Sequence, residues 1–182
     1  MIRLYMTMSL DDFVTGPDDR PGQELGRSGG RLFNWLDDRY GDGASAQIYR
    51  EALATGAIIS RCRTFELAGR WGRDHHDGVP IHEFTHHVDP ADVPPGSVRF
   101  FTDLTSAAEE ARASAGDRAV MVHGAGAAQV LQAADQPDEL ELHVVPVLLG
   151  EGRRLFDGTK AELELVRRLE DRDVLHLRYR AR

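Results

Sequence analysis

The chain reads as an α/β fold, a mixed sheet covered by helices and closed by a C-terminal antiparallel hairpin. Three observations predict it. Short apolar runs suited to buried strands alternate with segments of helical periodicity along most of the chain. Residues 118–157 hold a strand, a small-residue loop, a helix and a second strand in direct succession. The ending shows two strand-like arms, 162–169 and 174–181, about a Glu-Asp-Arg-Asp turn. Many folds satisfy this pattern, and periodicity does not choose among them.

Each element has its own local reason. Residues 2–10 alternate enough to form a strand, and 11–19 follow as a turn-rich loop. Residues 23–30 are glycine-rich and predict a mobile loop. A short helix at 32–40 carries Trp35 and Leu36. A stronger one at 44–54 has Ile48, Tyr49, Ala52 and Leu53 as its apolar stripe. A strand at 57–60 leads to a short helix at 64–69, and strands follow at 79–85 and 97–101. Thr102 or Thr105 can cap an Ala-rich helix that runs to Ala115, with Glu109 and Glu110 on its surface. The run 119–122 ends at His123, and Gly124-Ala125-Gly126 forms a loop. A helix over 127–134 then places Ala127, Val130, Leu131 and Ala134 on one face, and the apolar run 140–149 closes the unit. Arg178, Arg180 and Arg182 alternate with Leu177, Tyr179 and Ala181, which predicts a solvated face; Arg153-Arg154 and Arg167-Arg168 read as surface pairs.

Composition bounds the function. A length of 182 residues predicts one domain, 1–182, with enough chain for a real core. Net charge is −8 and the basic residues are dispersed, which argues against a nucleic-acid partner. No apolar run is long enough to span a membrane, and residues 1–10 are too short for a signal peptide. The lone cysteine, Cys62, cannot make an internal disulfide, so a cytoplasmic location is expected.

The unit around residues 124–126 carries the main chemical signal. A strand, a small-residue loop and a helix aim free backbone N–H groups and a helix N-terminus at an anion, often a cofactor phosphate. A Gly-Ala-Gly loop alone is weak evidence, since tight strand-to-helix turns also form without a ligand.

Five segments together resemble the dihydrofolate-reductase-like family, in the branch related to the C-terminal reductase domain of the riboflavin-biosynthesis deaminase/reductase. They are Met-Ser-Leu-Asp-Asp-Phe-Val-Thr-Gly (8–16), Arg-Thr-Phe-Glu (63–66) with Trp-Gly-Arg-Asp-His-His-Asp (71–77), Thr-His (85–86), Val-His-Gly-Ala-Gly (122–126) and the run 138–152. The resemblance implies a three-layer α/β/α fold, NADPH as hydride donor, a small heterocyclic or carbonyl substrate, and a homodimer. It also implies site roles. Gly124, Ala125, Gly126 and Ala127 would hold the cofactor pyrophosphate through backbone N–H groups. Arg63 and Thr64 would meet the adenosine 2′-phosphate, with a surface arginine and an N-cap as the alternative. Thr85 and His86 would lie beside the cofactor, or cap a strand end. Asp11 would be the substrate-side acidic group, orienting an amino-bearing heterocycle or relaying a proton, or else a turn-forming residue. His123 would face substrate, where the riboflavin reductases look acidic, or simply end its strand.

The chain departs from the family pattern where Gly-Arg-Arg-Thr becomes Arg61-Cys62-Arg63-Thr64. A side chain then stands where backbone and cofactor meet closely, and one cation is lost. This motivates an alternative: a family member with a degenerate cofactor site, doing non-redox binding or chemistry.

His82-Glu83-Phe84-Thr85-His86 also matches the H-E-x-x-H zinc-hydrolase signature, with His75, His76 and His87 close by. That chemistry needs both histidines on one helical face. Neighbouring prolines instead predict a strand, in which His82 and His86 stand about 13 Å apart, too far for one ion. No metal is therefore expected. His82 and Glu83 replace what the family fills with apolar strand residues, which predicts an exposed edge or a remodelled pocket.

Overall fold

A computed structural model of the chain describes residues 1–70, 78–86, 98–156, 158 and 160–182. The strands are β1 (Ile2–Ser9), β2 (Phe13–Thr15), β3 (Ala57–Arg61), β4 (Ile81–Phe84), β5 (Val98–Phe101), β6 (Val120–Val122), β7 (Glu139–Val145), β8 (Arg153–Arg154), β9 (Leu163–Asp171) and β10 (Val174–Ala181). The helices are a 3-10 helix (Gly29–Asp38), α1 (Ala44–Leu53), α2 (Cys62–Leu67), α3 (Leu104–Ala115) and α4 (Ala125–Ala133). Eight strands form one sheet in the order β5-β4-β3-β6-β1-β7-β10-β9, while β2 and β8 pair separately. The six from β5 to β7 are parallel, and β10 and β9 join antiparallel. The mixed sheet with a terminal hairpin is as expected.

Side-chain alternation along the strands sorts the core into two faces. Ile2, Leu4, Ile59, Val122, Leu140 and Leu142 pack under the alanines of α3 and α4. Ile58, Ile81 and Met121 face the other way, against Ala52 of α1 and Phe65 of α2. The 3-10 helix extends that second layer, seating Leu32 and Trp35 on Ile48, Val145 and Val174. Three layers result. Each fully buried aliphatic or aromatic side chain contributes roughly 1.5–3 kcal/mol, and most of these are wholly shielded.

Several sequence expectations shift. The cap of α3 is Asp103, whose carboxylate accepts the Ser106 N–H at 2.7 Å, in place of Thr102 or Thr105. Helix α4 begins at Ala125, two residues earlier than expected, because Gly124 at φ 87° turns the chain directly into the helix. The run 140–149 stops being strand at Val145, before Pro146, which lacks the N–H a ladder requires. In α1, Leu53 is exposed and Ser45 and Ala46 take its place in the core. Residues 23–30 are glycine-rich for close packing. A Cβ on Gly16 would lie 1.8 Å from the Arg27 carbonyl oxygen, and one on Gly26 would lie 2.3 Å from that of Gly16.

The arginines of the hairpin are not all solvated. Arg167 and Arg178 are largely buried, and both grip Glu51 of α1 and Glu141 of β7. Strand β9 brings Arg167 level with Arg178, so both reach under α1. A cavity of about 10 Å³, room for one water molecule, lies within this cluster between Tyr5, Glu51, Glu141 and Arg178. It is at the amino-terminal half of β1, remote from the candidate site described next.

Candidate active site at the carboxyl ends of the strands

Strands β3 and β6 are parallel neighbours, with Ala57 level with Val120 and Ile59 level with Val122. The chain leaves β3 through α2 toward β4, and leaves β6 through α4 toward β7, on the opposite face of the sheet. Helices that diverge in this way open a crevice at the carboxyl ends of the two strands, the usual ligand position in open α/β sheets.

The two turns touch across that crevice. A Cβ on Gly124 would sit 2.0 Å from Thr64 Oγ1, so only glycine allows the β6–α4 turn to meet α2. No side chain caps α4, so its first-turn N–H groups, from Ala125 to Ala127, are available to an anion. The methyl groups of Ala125 and Ala127 are buried in the core, which fixes the direction of those amides. Gly124, Ala125, Gly126, Ala127 and Thr64 are thus brought together at the crevice. The residues present fit a diphosphate: small side chains, uncapped backbone donors and the neighbouring Arg61 guanidinium.

Arg61 occupies the rim. Its Nη1 donates to the Gly126 carbonyl at 3.5 Å, its Nη2 lies 3.4 Å from His86 Nε2, and its guanidinium stands 5.5 Å from the Phe84 ring centroid. The side chain therefore stretches from α4 to the end of β4. This is where the departure from the family glycine placed it.

Arg63 is engaged by Asp19. Its Nε and Nη2 make a two-pronged contact with Asp19, at 3.2 and 2.7 Å, and Nη2 also donates to the Asp19 carbonyl at 2.6 Å. Arg153 approaches the same carboxylate at 3.4 Å. Although burial opposes it, the hydrogen bond from Arg63 and the charge of Arg153 hold the Asp19 carboxyl below the usual range. Thr85 closes the end of β4: its N–H donates to the Phe101 carbonyl at 2.9 Å and its hydroxyl meets the Cys62 thiol. That matches the strand-end alternative, and it puts Thr85 beside α2.

The two candidate catalytic residues are not one cluster. His123 follows β6 directly, anchored by its N–H to the Ile59 carbonyl at 2.9 Å. Its level on β1 is next to Leu4, the partner of Val122. Ser9 lies four residues further along β1, about 13 Å at strand rise, and Asp11 lies beyond it. Strands β1 and β7 overrun β6 and wall one side of the crevice. Asp11 is occupied there. It accepts the Ser9 hydroxyl at 2.6 Å and the Leu149 and Gly150 N–H groups at 3.1 and 2.7 Å. The Ser9 hydrogen bond, then those backbone donors, lower its pKa to about 2. The carboxylate is therefore ionised at neutral pH, which suits holding the 147–152 loop and accepting hydrogen bonds, and does not suit proton donation.

The H-E-x-x-H segment is strand, as β4, and its helical requirement fails. His82 and Glu83 are fully buried between β3 and β5, so the exposed-edge expectation is overturned. His82 stacks on Phe101 and lies 3.3 Å from Ser114 Oγ of α3; burial lowers its pKa and keeps it neutral. Glu83 faces the opposite layer, level with Ser60 and under α2. Burial, then the nearby Glu66 carboxylate, push its pKa up to about 8, with the Ser60 hydroxyl and Arg61 only partly offsetting. The segment 71–77, with His75 and His76, and also His87, lie outside the described residues.

Sequence reasoning missed Asp19, Arg153 and Ser9. The Asp18-Asp19 pair stood inside a loop read only as turns, and Arg153 was grouped with surface arginines. No local pattern ties residue 19 to residue 153; only the β2–β8 pairing does.

Fold and crevice together define a class, a doubly wound α/β domain with a tight glycine turn at its switch point. The model of the RibD C-terminal domain family matches residues 80–178, and the chain belongs to that family. Among solved structures it is similar to a riboflavin biosynthesis protein from Shewanella sp. PV-4, with TM-score 0.72 and 16% identity over 100% of this chain and 99% of that one. It is also similar to a pyrimidine reductase-like protein from Corynebacterium diphtheriae, with TM-score 0.63 and 14% identity over 100% and 91%. A third is the Thermotoga maritima diaminohydroxyphosphoribosylaminopyrimidine deaminase/5-amino-6-(5-phosphoribosylamino)uracil reductase, with TM-score 0.67 and 11% identity. This chain is covered fully there but spans 56% of that protein. At such identities the likeness is one of fold. No curated protein matches the sequence. Among the described residues, no helix is long and apolar enough to cross a membrane.

Proposed function

We propose that the chain is an NADPH-dependent reductase that transfers a hydride to a small heterocyclic or carbonyl substrate, and that it works as a homodimer. The observation that carries this reading is the uncapped amino end of α4, held open-faced against α2 by the Gly124–Thr64 contact. NADPH, when bound, supplies the hydride. The first amides of α4 hold its diphosphate, with Arg61 and Thr64 flanking. The overrunning edge of β1 and the 147–152 loop, pinned by Asp11, shape the place for substrate. His123, directly after β6, would be the group that accepts or donates a proton.

Isothermal titration calorimetry tests this directly. NADPH is expected to bind in the micromolar range and NADH more weakly; a flat titration at millimolar NADPH would sink the assignment. One observation favours a second reading. Arg61 stretched over Gly126 fits a family member that no longer admits the cofactor. A flat wild-type titration with binding restored in Arg61→Gly would establish that alternative.

A further inference from the structure

Glu83 is wholly buried, and neither of its carboxyl oxygens has a hydrogen-bond partner. Its charged or titratable neighbours among the described residues are Arg61 of β3 and Cys62 and Glu66 of α2, while β5 sets Phe100 level with it. Arg61, the one cation in this set, is stretched toward Gly126 and His86. Glu66 pairs with Arg70, and the Cys62 thiol meets Thr85. An unpaired buried carboxylate is costly, so the group keeps its proton. Strand pairing then sets Glu83 in a polar row across the carboxyl ends of the sheet. Ser60 of β3 is level with Glu83. Ile59 is level with Val122, and the His123 N–H donates to the Ile59 carbonyl, so the register runs one residue further and sets His123 level with Ser60. Val120 and Val122 face α3 and α4 whereas Met121 faces α1 and α2, so alternation turns His123 to the side of Ser60 and Glu83. Adjacent strands stand about 4.8 Å apart, which leaves one hydroxyl between carboxyl and imidazole. That hydroxyl is buried and donates to the Arg61 carbonyl at a long 3.4 Å, a weak bond that rotation can exchange for one to either neighbour.

We propose that Glu83 stores a proton for the candidate site, and that the Ser60 hydroxyl carries it to His123. The use made of that proton rests on the reductase reading. Hydride addition to the carbon of a C=N or C=O group moves the electron pair of that double bond onto the nitrogen or oxygen, a reduced nicotinamide being the hydride source. That atom takes the ring N–H proton of His123. The other imidazole nitrogen takes the Ser60 hydroxyl proton, and the Ser60 oxygen takes the proton of Glu83, which is left as a carboxylate. An imidazole is mostly neutral above its ordinary pKa of about 6.5 and has no second proton to replace the one given up. Glu83 provides it. The substrate gains one hydride and one proton, and water returns a proton to Glu83 along the same row after product leaves. Glu83 touches no reacting atom and is a positioning residue that acts through His123.

Infrared spectroscopy on the full chain, with no cofactor added, reads the store directly. Wild type should show a protonated carboxyl stretch at pH 7 that fades with a midpoint near 8 and is missing in Glu83→Gln. Absence of that band from wild type would overturn the proposal, and this measurement requires no variant to fold. On transfer to deuterated buffer the band should shift as the proton exchanges. Ser60→Ala should keep the band and slow its shift at least tenfold, and His123→Phe should slow it similarly. Equal exchange in wild type and Ser60→Ala would overturn the relay. A parallel NADPH titration separates the two readings. No NADPH binding with the exchange pattern intact removes the reductase and keeps the relay; NADPH binding with equal exchange in wild type and Ser60→Ala does the reverse.

Discussion

Glu83 holds its proton at a pH where an ordinary carboxyl has lost it, and that has a thermodynamic sign. Its pKa rises from 4.5 to about 8 on folding, chiefly through burial. Between those values the folded chain keeps a proton that the unfolded chain releases, so stability falls as pH rises from about 4.5 to about 8. Glu83→Gln should flatten that fall and stabilise the protein at pH 8 by up to a few kcal/mol, at about 1.4 kcal/mol per pKa unit. Urea denaturation at pH 5 and pH 8 reads it, and an unchanged pH slope would refute it. The buried pair His143 and His176 acts in the opposite direction. Their Nδ1 atoms lie 2.9 Å apart beneath Trp35, so one imidazole must donate and the other accept. Burial lowers the pKa of His176 to about 4 and that of His143 well below its ordinary value. Their contribution is complete above pH 6.5 and lost as pH falls toward 4, because the unfolded chain then takes up protons that the folded one refuses. Melting curves should show it, and His176→Phe should lessen the acid-side loss. At this scale the sequence was least legible. Histidines 82, 143 and 176 look alike as letters, and what each does depends on which layer its strand turns it toward.

Helix and strand identities were read well wherever a segment was long enough to show its period; the errors have a common size. Strands β2 and β8 have three and two residues, too few to show a repeated alternation, so nothing in the pattern marks them. Yet their pairing carries the base of the loop at 16–28 and the approach of Arg153 to Asp19. The turn at 124–126 was legible because its requirement is for absence of side chains, which composition shows directly. Gly124 combines a φ of 87° with a contact that a methyl group would close to 2.0 Å. Gly124→Ala should therefore destabilise the fold by roughly 2 kcal/mol or more, from left-handed backbone cost and the clash with Thr64. It should also weaken NADPH binding more than stability loss explains, since the α4 amides move with the turn. Asp103→Ala on α3, far from that turn, should cost about 1 kcal/mol and leave ligand affinity unchanged. The pair of variants separates a damaged fold from a displaced cradle.

At the scale of the whole molecule, the described residues leave one side of the sheet incompletely clothed. The β7–β10 register sets Leu175, Leu177 and Tyr179 level with Val144, Leu142 and Leu140, on the face that α3 and α4 cover further along. These three are only half-buried, and Leu165, level with Tyr179 on β9, is 52% exposed. The opposite face of the hairpin is filled, by Trp35 against His176 and by Glu51 of α1 gripping Arg167 and Arg178. An apolar patch on an outer strand pair is the kind of surface that a two-fold axis can cover with itself. Arg168 and Glu170, level with Leu177 and Leu175, put opposite charges on the same patch, as a self-complementary contact requires. This is the surface on which the proposed homodimer should close. Light scattering on the purified chain should give twice the monomer mass, and Leu177→Arg should give the monomer. Because the crevice at β3 and β6 lies on the other side of β1 from this hairpin, the monomeric variant should still bind NADPH. A monomeric wild type would remove the dimer without touching the site, whereas loss of NADPH binding on dissociation would mean that the crevice draws on the second copy.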